Sequence, residues 1–361
     1  MRLRLCTFNV ENLFARFDFA AFSDRRAARY LPPVVRFLGD FGDGDLSKFP
    51  EFADLLRGAA VAQADDHRQH TALALAAADA DVLCLQEVDS HDALARFWRG
   101  YVQKVGVDRY DHFLLLEGND PRGIDVAAVT RDIRPAYARS HARLSPARLP
   151  GGRDSLGRWP LAAEEAQGGG RIFRRDALEL EVLVGDRRVT VFNCHFKSMS
   201  GGRDRSMGRR QLEAAAVRAL IEAKFPDPAT ALWAVAGDLN DYRLRISISK
   251  AAGMRETVRS LDEDEPSGID PLLADGFGTD VLQRLPEAER WTHYYASERH
   301  KTQLDYVIAS PALAERLRQV EVIREGMPFR VPNLDVDRYP RVGWDRPKAS
   351  DHCPVVAEFD I

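Results

Sequence analysis

Short runs of Val, Leu, Ile and Phe recur along the chain, and turn residues bound most of them. The clearest are Leu3 to Val10, Asp81 to Leu85, His112 to Leu116, Asp125 to Thr130, Leu178 to Val184, Arg188 to Phe196, Ala231 to Ala236, Leu304 to Ala309 and Pro354 to Phe359, each of which reads as a β-strand. Elsewhere the apolar spacing becomes helical. Gln211 to Phe225 places Leu212, Ala215, Ala216, Ala219, Leu220 and Ala223 on one face, and an Ala-rich stretch from about Thr71 to Ala78 precedes the strand at Val82. Strands outnumber helices and the helices fall between strand pairs, so the pattern predicts sheets covered by helices.

Three segments lack either period and read as insertions: an acidic, Gly-containing one near 37–66, one rich in Arg, Pro and Gly near 138–175, and an acidic, turn-rich one near 262–290. Long irregular segments of this kind are usually surface loops, often functional ones. There is no internal repeat and no long low-complexity tract.

Composition narrows the class. A chain of 361 residues with 45% hydrophobic and 29% charged residues can bury a large core, which excludes disorder as its main state. Its 51 basic and 55 acidic residues leave a net charge of −4, which argues against coating nucleic acid or an anionic membrane by bulk charge but leaves room for a local basic groove. Glu11, Arg16 and Asp18 interrupt the first apolar run before a secretory core could form, and no stretch reaches the roughly 18 apolar residues of a membrane span. Cys6, Cys84, Cys194 and Cys353 are widely separated, each in an apolar run, which fits buried reduced thiols and a cytoplasmic location.

Polar residues of one chemical kind sit at the ends of these apolar strands. Asn9 follows Cys6-Thr7-Phe8, Glu87 follows Leu85-Gln86, Asp238 and Asn240 follow Ala236-Gly237, and Asp351-His352 precede Cys353. A carboxylate there is held rigidly yet reaches a ligand. Glu87, Asp351 and the amide of Asn9 offer the oxygen donors that a hard cation such as Mg²⁺ requires. Along the strand ending in Lys197, Val189, Val191, Asn193, His195 and Lys197 share one face, which turns polar toward its end as a site-lining strand should. His195 and Lys197 could both donate to a phosphate oxygen.

The ordered set FNVEN (8–12), LQEVD (85–89), FNCHFKS (192–198), GDLND (237–241), QLDYVIAS (303–310) and SDHCPVVAEF (350–359) resembles the endonuclease/exonuclease/phosphatase superfamily, with the DNase I-like fold. Each motif alone is weak; six in order, spanning nearly the whole chain, are specific. The resemblance implies one α/β domain over 1–361, a four-layer sandwich of two mixed β-sheets face to face and flanked by helices, with the three insertions as loops. It implies hydrolysis of a phosphodiester or phosphomonoester with Mg²⁺ or Mn²⁺, Glu87 as metal ligand and Asn9 and Asp351 in the metal shell. It further implies that Asp238 orients or deprotonates the attacking water and that Asn240 holds that water or the phosphate. His352, paired to Asp305, contacts the scissile phosphate, and His195 is a second phosphate-binding or acid residue. Attack on an anionic ester needs such donors, and a carboxylate behind an imidazole keeps it charged.

Loops must choose the substrate, because nucleases, lipid phosphodiesterases and inositol phosphatases share this scaffold. Arg122 to Arg175 carries 11 basic and 5 acidic residues, and Lys197 to Arg210 carries 5 and 1, so the rest of the chain is net −14. This polarity predicts a basic rim, with Arg122, Lys197, Arg203 and Arg205 as substrate contacts and Trp159, Phe173, Trp291, Tyr294 and Tyr295 available for stacking on bases. His293 and His300, flanking the strand before Asp305, are the remaining histidines best placed to touch substrate. The expected activity is therefore a metal-dependent nuclease with a nucleic-acid substrate, no membrane association, no exposed apolar hairpin and no obligate protein partner. Alternatives are a phosphatase or phosphodiesterase on a small phosphate ester or lipid headgroup and, from another class, a non-catalytic nucleic-acid-binding module.

Overall fold

The computed structural model describes residues 1–13, 65–107, 109–120, 123–159, 170–251, 253–262 and 264–361. Six strands form a first mixed sheet: β1 (Arg2–Leu13), β2 (Val82–Val88), β3 (Tyr110–Leu115), β4 (Asp125–Arg131), β15 (Leu317–Val322) and β16 (Val355–Asp360), in the order β15-β16-β1-β2-β4-β3. A second has the order β11-β14-β8-β7-β6-β5, from β5 (Pro135–Ser140), β6 (Ala177–Val184), β7 (Arg187–His195), β8 (Trp233–Asp238), β11 (Thr279–Asp280) and β14 (Asp305–Ala309). Within them β1 runs parallel to β2, and β7 parallel to β8. The expected pair of sheets is present, together with a third that the pattern did not show: β9 (Leu244–Ser249), β10 (Arg255–Ser260), β12 (His293–Tyr295) and β13 (His300–Thr302), in the order β10-β9-β13-β12.

Side-chain alternation explains the layering. Leu3, Leu5, Val82, Cys84 and Val126 of the first sheet meet Leu180, Val189, Val191, Ala234 and Val307 of the second in one buried cluster. The opposite pleats are apolar too. Phe8, Leu83, Leu85 and Val129 pack under α1 (Asp65–Ala78) and α2 (His91–Phe97), while Phe192, Cys194, Val235 and Ile308 pack under α3 (Arg203–Lys224). Helix, sheet, sheet and helix make four layers, and each fully buried Leu, Val or Phe contributes about 1.5–3 kcal/mol. All four cysteines are buried and free, as expected. No helix among the described residues is long and apolar enough to cross a membrane.

Several expectations change. The basic stretch Lys197 to Arg210, expected among the substrate-choosing loops, is mostly helix: α3 begins at Arg203, behind Gly201 and Gly202 with φ of +86° and +112°. Ser206, Met207 and Arg210 extend its buried face by two turns, and the charge of the arginine masked that face in the sequence. Asn193 does not line the site. Its amide lies between the two main sheets, donating to the carbonyls of Leu85 and Ala127 and accepting from Gln86 Nε2 at 2.8 Å, a polar tie beneath the site floor. The segments 138–175 and 262–290 hold parts of β5 and β11 and the short helix α4 (Asp270–Leu273), besides single 3₁₀ turns. Most of 37–66 lies outside the described residues, as does Arg122.

Candidate active site

Strand ends from all three sheets converge at one place. β14 pairs with β8 so that Asp305 stands opposite Asp238, and β7 pairs with β8 so that His195 does. Gly237 makes the last step of β8 possible: its φ is +147°, and a Cβ there would lie 1.9 Å from the Cys194 carbonyl oxygen. Four other residues at these strand ends, Glu11, Asn12, Glu87 and Asn240, hold left-handed backbone with φ of 49–66°. Each costs on the order of 1 kcal/mol, and the pairing register shifts beside Asn9 and beside Glu87, so both strands kink where they reach the site.

His352 Nδ1 lies 2.8 Å from Asp305 Oδ2, which also accepts the Thr292 hydroxyl at 2.6 Å. Thr292 Oγ1 in turn accepts the backbone N–H groups of Leu304 and Asp305, so the carboxylate is aimed from behind by a residue that no motif marked. On its far side, His352 Nε2 is 3.8 Å from Asp238 Oδ2, and His195 Nε2 is 3.5 Å from the same oxygen. Asn9 Nδ2 donates to Asp238 Oδ2 at 3.0 Å, and the Asn240 N–H donates to Oδ1 at 2.9 Å. Burial alone would deprotonate His352, but the carboxylates of Asp305 and then Asp238 outweigh it and raise the imidazole well above its ordinary range. Asp238 is pushed upward by burial, with His352 pulling it back. The His293 ring lies tilted beside His352, with ring centres 4.8 Å apart, and burial together with the His352 charge holds it down at about 3.

The ligand atoms of two groups, His293-Asp351-His352 and Asp238-Asp305-His352, lie within 4.8 Å of one another. A protonated His352 has no lone pair for a cation, which disfavours it as a ligand in either group. The oxygen set predicted from sequence fits a hard cation better. Asn9 pairs with Gln86, the neighbour of Glu87, and its backbone carbonyl accepts the hydroxyl of Ser350, the neighbour of Asp351, so the three residues come to one corner at the same end of β1. Glu87 Oε2 takes the Asn12 N–H at 3.0 Å. Burial would raise Asp351, but Lys348, His352 and His293 hold it ionised, well below the usual carboxylate range. Glu11, which lies in FNVEN but was given no role from the sequence, binds Lys348 at 3.0 Å and Arg346 at 2.9 Å beside this corner.

The centre opens into a cleft of about 780 Å³ lined by Asn240, His352, His293, Tyr295, Arg203 and Arg245, among others. Of the expected rim, Arg203 is committed to Asp241 at 2.7 Å while still facing the cleft, Arg205 is exposed on the first turn of α3, and Lys197 Nζ folds back onto the Ser198 carbonyl at 2.9 Å. Arg210 is fully buried against Asp241 and belongs to the core. Phe173, Trp291 and Tyr294 are core residues rather than stacking platforms, whereas Tyr295 is 46% exposed. The sequence also predicted no exposed apolar hairpin, yet Phe329 and Trp344 are 52% and 73% exposed on two segments joined by hydrogen bonds from Phe329 N to Gly343 O and from Arg330 N to Trp344 O.

The Endonuclease/Exonuclease/phosphatase family matches residues 6–352. The chain belongs to this family of phosphoesterases. Solved structures with the same fold include truncated TDP2 from Caenorhabditis elegans (15% identity, 100% of this chain and 98% of that one, TM-score 0.51) and an endonuclease/exonuclease/phosphatase family protein from Bacteroides thetaiotaomicron (14%, 100% and 99%, 0.51). The human Nocturnin catalytic domain is a third, at 12% identity, 99% and 94% coverage and a TM-score of 0.52. No curated protein matches the sequence.

Proposed function

We propose that this family member is a divalent-metal-dependent phosphodiesterase acting on the nucleic-acid backbone. The observation that carries the reading is the Asp305-His352-Asp238 chain at the floor of a cleft walled by arginines and an exposed tyrosine. A cation held by Glu87, Asp351 and the Asn9 amide oxygen would neutralise the phosphate and the developing negative charge. Asp238 accepts a proton from the water whose oxygen forms the new bond to phosphorus, and Asn240 orients that water. His352, kept cationic by Asp305, hydrogen-bonds a phosphate oxygen as the ester bond breaks, and the leaving oxygen takes its proton from solvent water. His195, buried beside Asp238, holds that carboxylate in place. Electrostatic donors fixed before the reaction need no reorganisation during it.

Hydrolysis of single- and double-stranded DNA, RNA and bis-p-nitrophenyl phosphate, with Mg²⁺, Mn²⁺ or chelator, tests this directly. Cleavage of nucleic acid by the wild type, lost in Asp238→Asn with an unchanged melting temperature, is expected. Failure to cleave any polynucleotide sinks the nuclease reading.

The exposed pair Phe329 and Trp344, with Arg330 and Arg346 nearby in sequence, favours a second reading, hydrolysis of a lipid headgroup at a membrane surface. Phospholipid vesicles separate the two: release of headgroup without cleavage of DNA or RNA would select it.

A further inference from the structure

The third sheet has one apolar and one polar face. Leu244, Ile246, Ile248 and Tyr294 pack with Trp291, Met327, Val331 and Cys353 on its inner side. On the other face the pairing register lines up a single cross-strand row: Arg259 opposite Arg245, Arg245 opposite Thr302, Thr302 opposite His293, and His293 bridged to His352. Residues directly opposite share a face, so this row runs from β10 to the catalytic histidine, across four strand intervals or about 19 Å. The neighbouring row is Thr257, Ser247, His300 and Tyr295. Rings follow the same path. Centroid separations are 4.8 Å from His352 to His293, 6.2 Å from His293 to Tyr295, and 5.4 Å from Tyr295 to His300, the last pair stacked.

We propose that this polar face is the binding wall for a single-stranded polynucleotide. Arg245 and Arg259 contact successive phosphates, and Tyr295, backed by His300, stacks on a base next to the scissile bond. The proposal rests on the nuclease reading and adds strand form and location to it. A single strand suits the wall because its unpaired bases can turn their faces to Tyr295, whereas a duplex keeps them stacked inside. The two arginines have acidic partners now, Arg259 with Glu265 at 2.5 Å and Arg245 with Glu298 at 3.9 Å. Arg259 and Glu298 are largely exposed, and such ion pairs are weak enough for a phosphate to displace them. Glu298, which also faces His300 at 3.5 Å, then acts as a brake on affinity.

Binding of labelled oligothymidine to the full chain in chelator, followed by fluorescence anisotropy across salt concentrations, tests the wall without hydrolysis. Arg245→Ala with Arg259→Ala should weaken binding at least about tenfold and lower the salt slope by about 1.4, and Tyr295→Ala should weaken it with the slope unchanged. Glu298→Gln should tighten it. Arg318→Ala, on β15, is the control and should change nothing. Each substitution is also measured singly, with melting temperatures, so that a misfolded combination does not hide the answer. Unchanged affinity in the folded variants, an equal loss in Arg318→Ala, or duplex bound as tightly as single strand overturns the proposal. Oligonucleotide binding at this wall without cleavage of any polynucleotide would instead overturn the nuclease reading alone.

Discussion

Asp305 reaches His352 from the strand next to Asp238, so one imidazole lies between two carboxylates that face each other across a β-ladder, Nδ1 at 2.8 Å from one and Nε2 at 3.8 Å from the other. The arrangement fixes the orientation of the ring and its charge together. Removing the rear carboxylate should therefore cost turnover more than binding.

Asp305→Asn keeps the shape and loses the charge behind His352. We expect kcat to fall by about 10²- to 10⁴-fold with KM little changed. Steady-state kinetics on bis-p-nitrophenyl phosphate measure this, and a kcat near wild type would show that His352 needs no charged partner.

The oxygen corner predicts metal-linked stability. Saturating Mg²⁺ should raise the melting temperature, since a ligand at a hundred times its Kd adds about 2.7 kcal/mol to the folded state. Glu87→Gln and Asp351→Asn should each abolish most of that increase. Differential scanning calorimetry with Mg²⁺ and with chelator reads it independently of activity.

Asp241 accepts Arg203, Arg210 and the Gly268 N–H, with Arg210 and Asp241 side chains both fully buried. Arg210→Met leaves the buried carboxylate with Arg203 and backbone donors alone and should destabilise the protein by up to about 3 kcal/mol in urea unfolding. The double variant Arg210→Met with Asp241→Asn should recover part of the loss.

Burial pushes Asp280 up to about 6, against the hydrogen bonds from Gln303 and the Leu282 N–H that favour its charge. The folded group therefore holds its proton at a pH where the unfolded one, near 3.9, has lost it. Stability from this site is greatest below about pH 4 and falls as pH rises to about 6. Asp280→Asn, with the Gln303 amide turned to accept, should gain about 3 kcal/mol at pH 8 and nothing near pH 4, as pH-dependent urea unfolding would show.

Much of this centre was legible in one dimension because its chemistry sits where apolar strands stop. An apolar run ending in Asp, Glu, Asn or His has few explanations other than a ligand at a sheet edge, and six such endings in order identified the family and the two-sheet fold. The amino-acid sequence by itself determined nine of the twelve strands of the two main sheets, all but the edge strands β5, β11 and β15, together with which cysteines are buried and which polar residues stand at the strand ends. Three kinds of feature waited for the tertiary structure, each for a physical reason. The third sheet is built of short strands, β12 and β13 being three residues each, whose pairing depends on neighbours far along the chain. Charge was misleading where burial is decided by a distant partner: Arg210 reads as a surface arginine until Asp241, thirty-one residues away, neutralises it in the core. Aromatic residues carry no mark of exposure, so Tyr294 and Tyr295, adjacent in β12, went to the core and to the cleft by the pleat of one short strand. Composition and motif specify what a residue can do; only the pairing of strands decides what it faces.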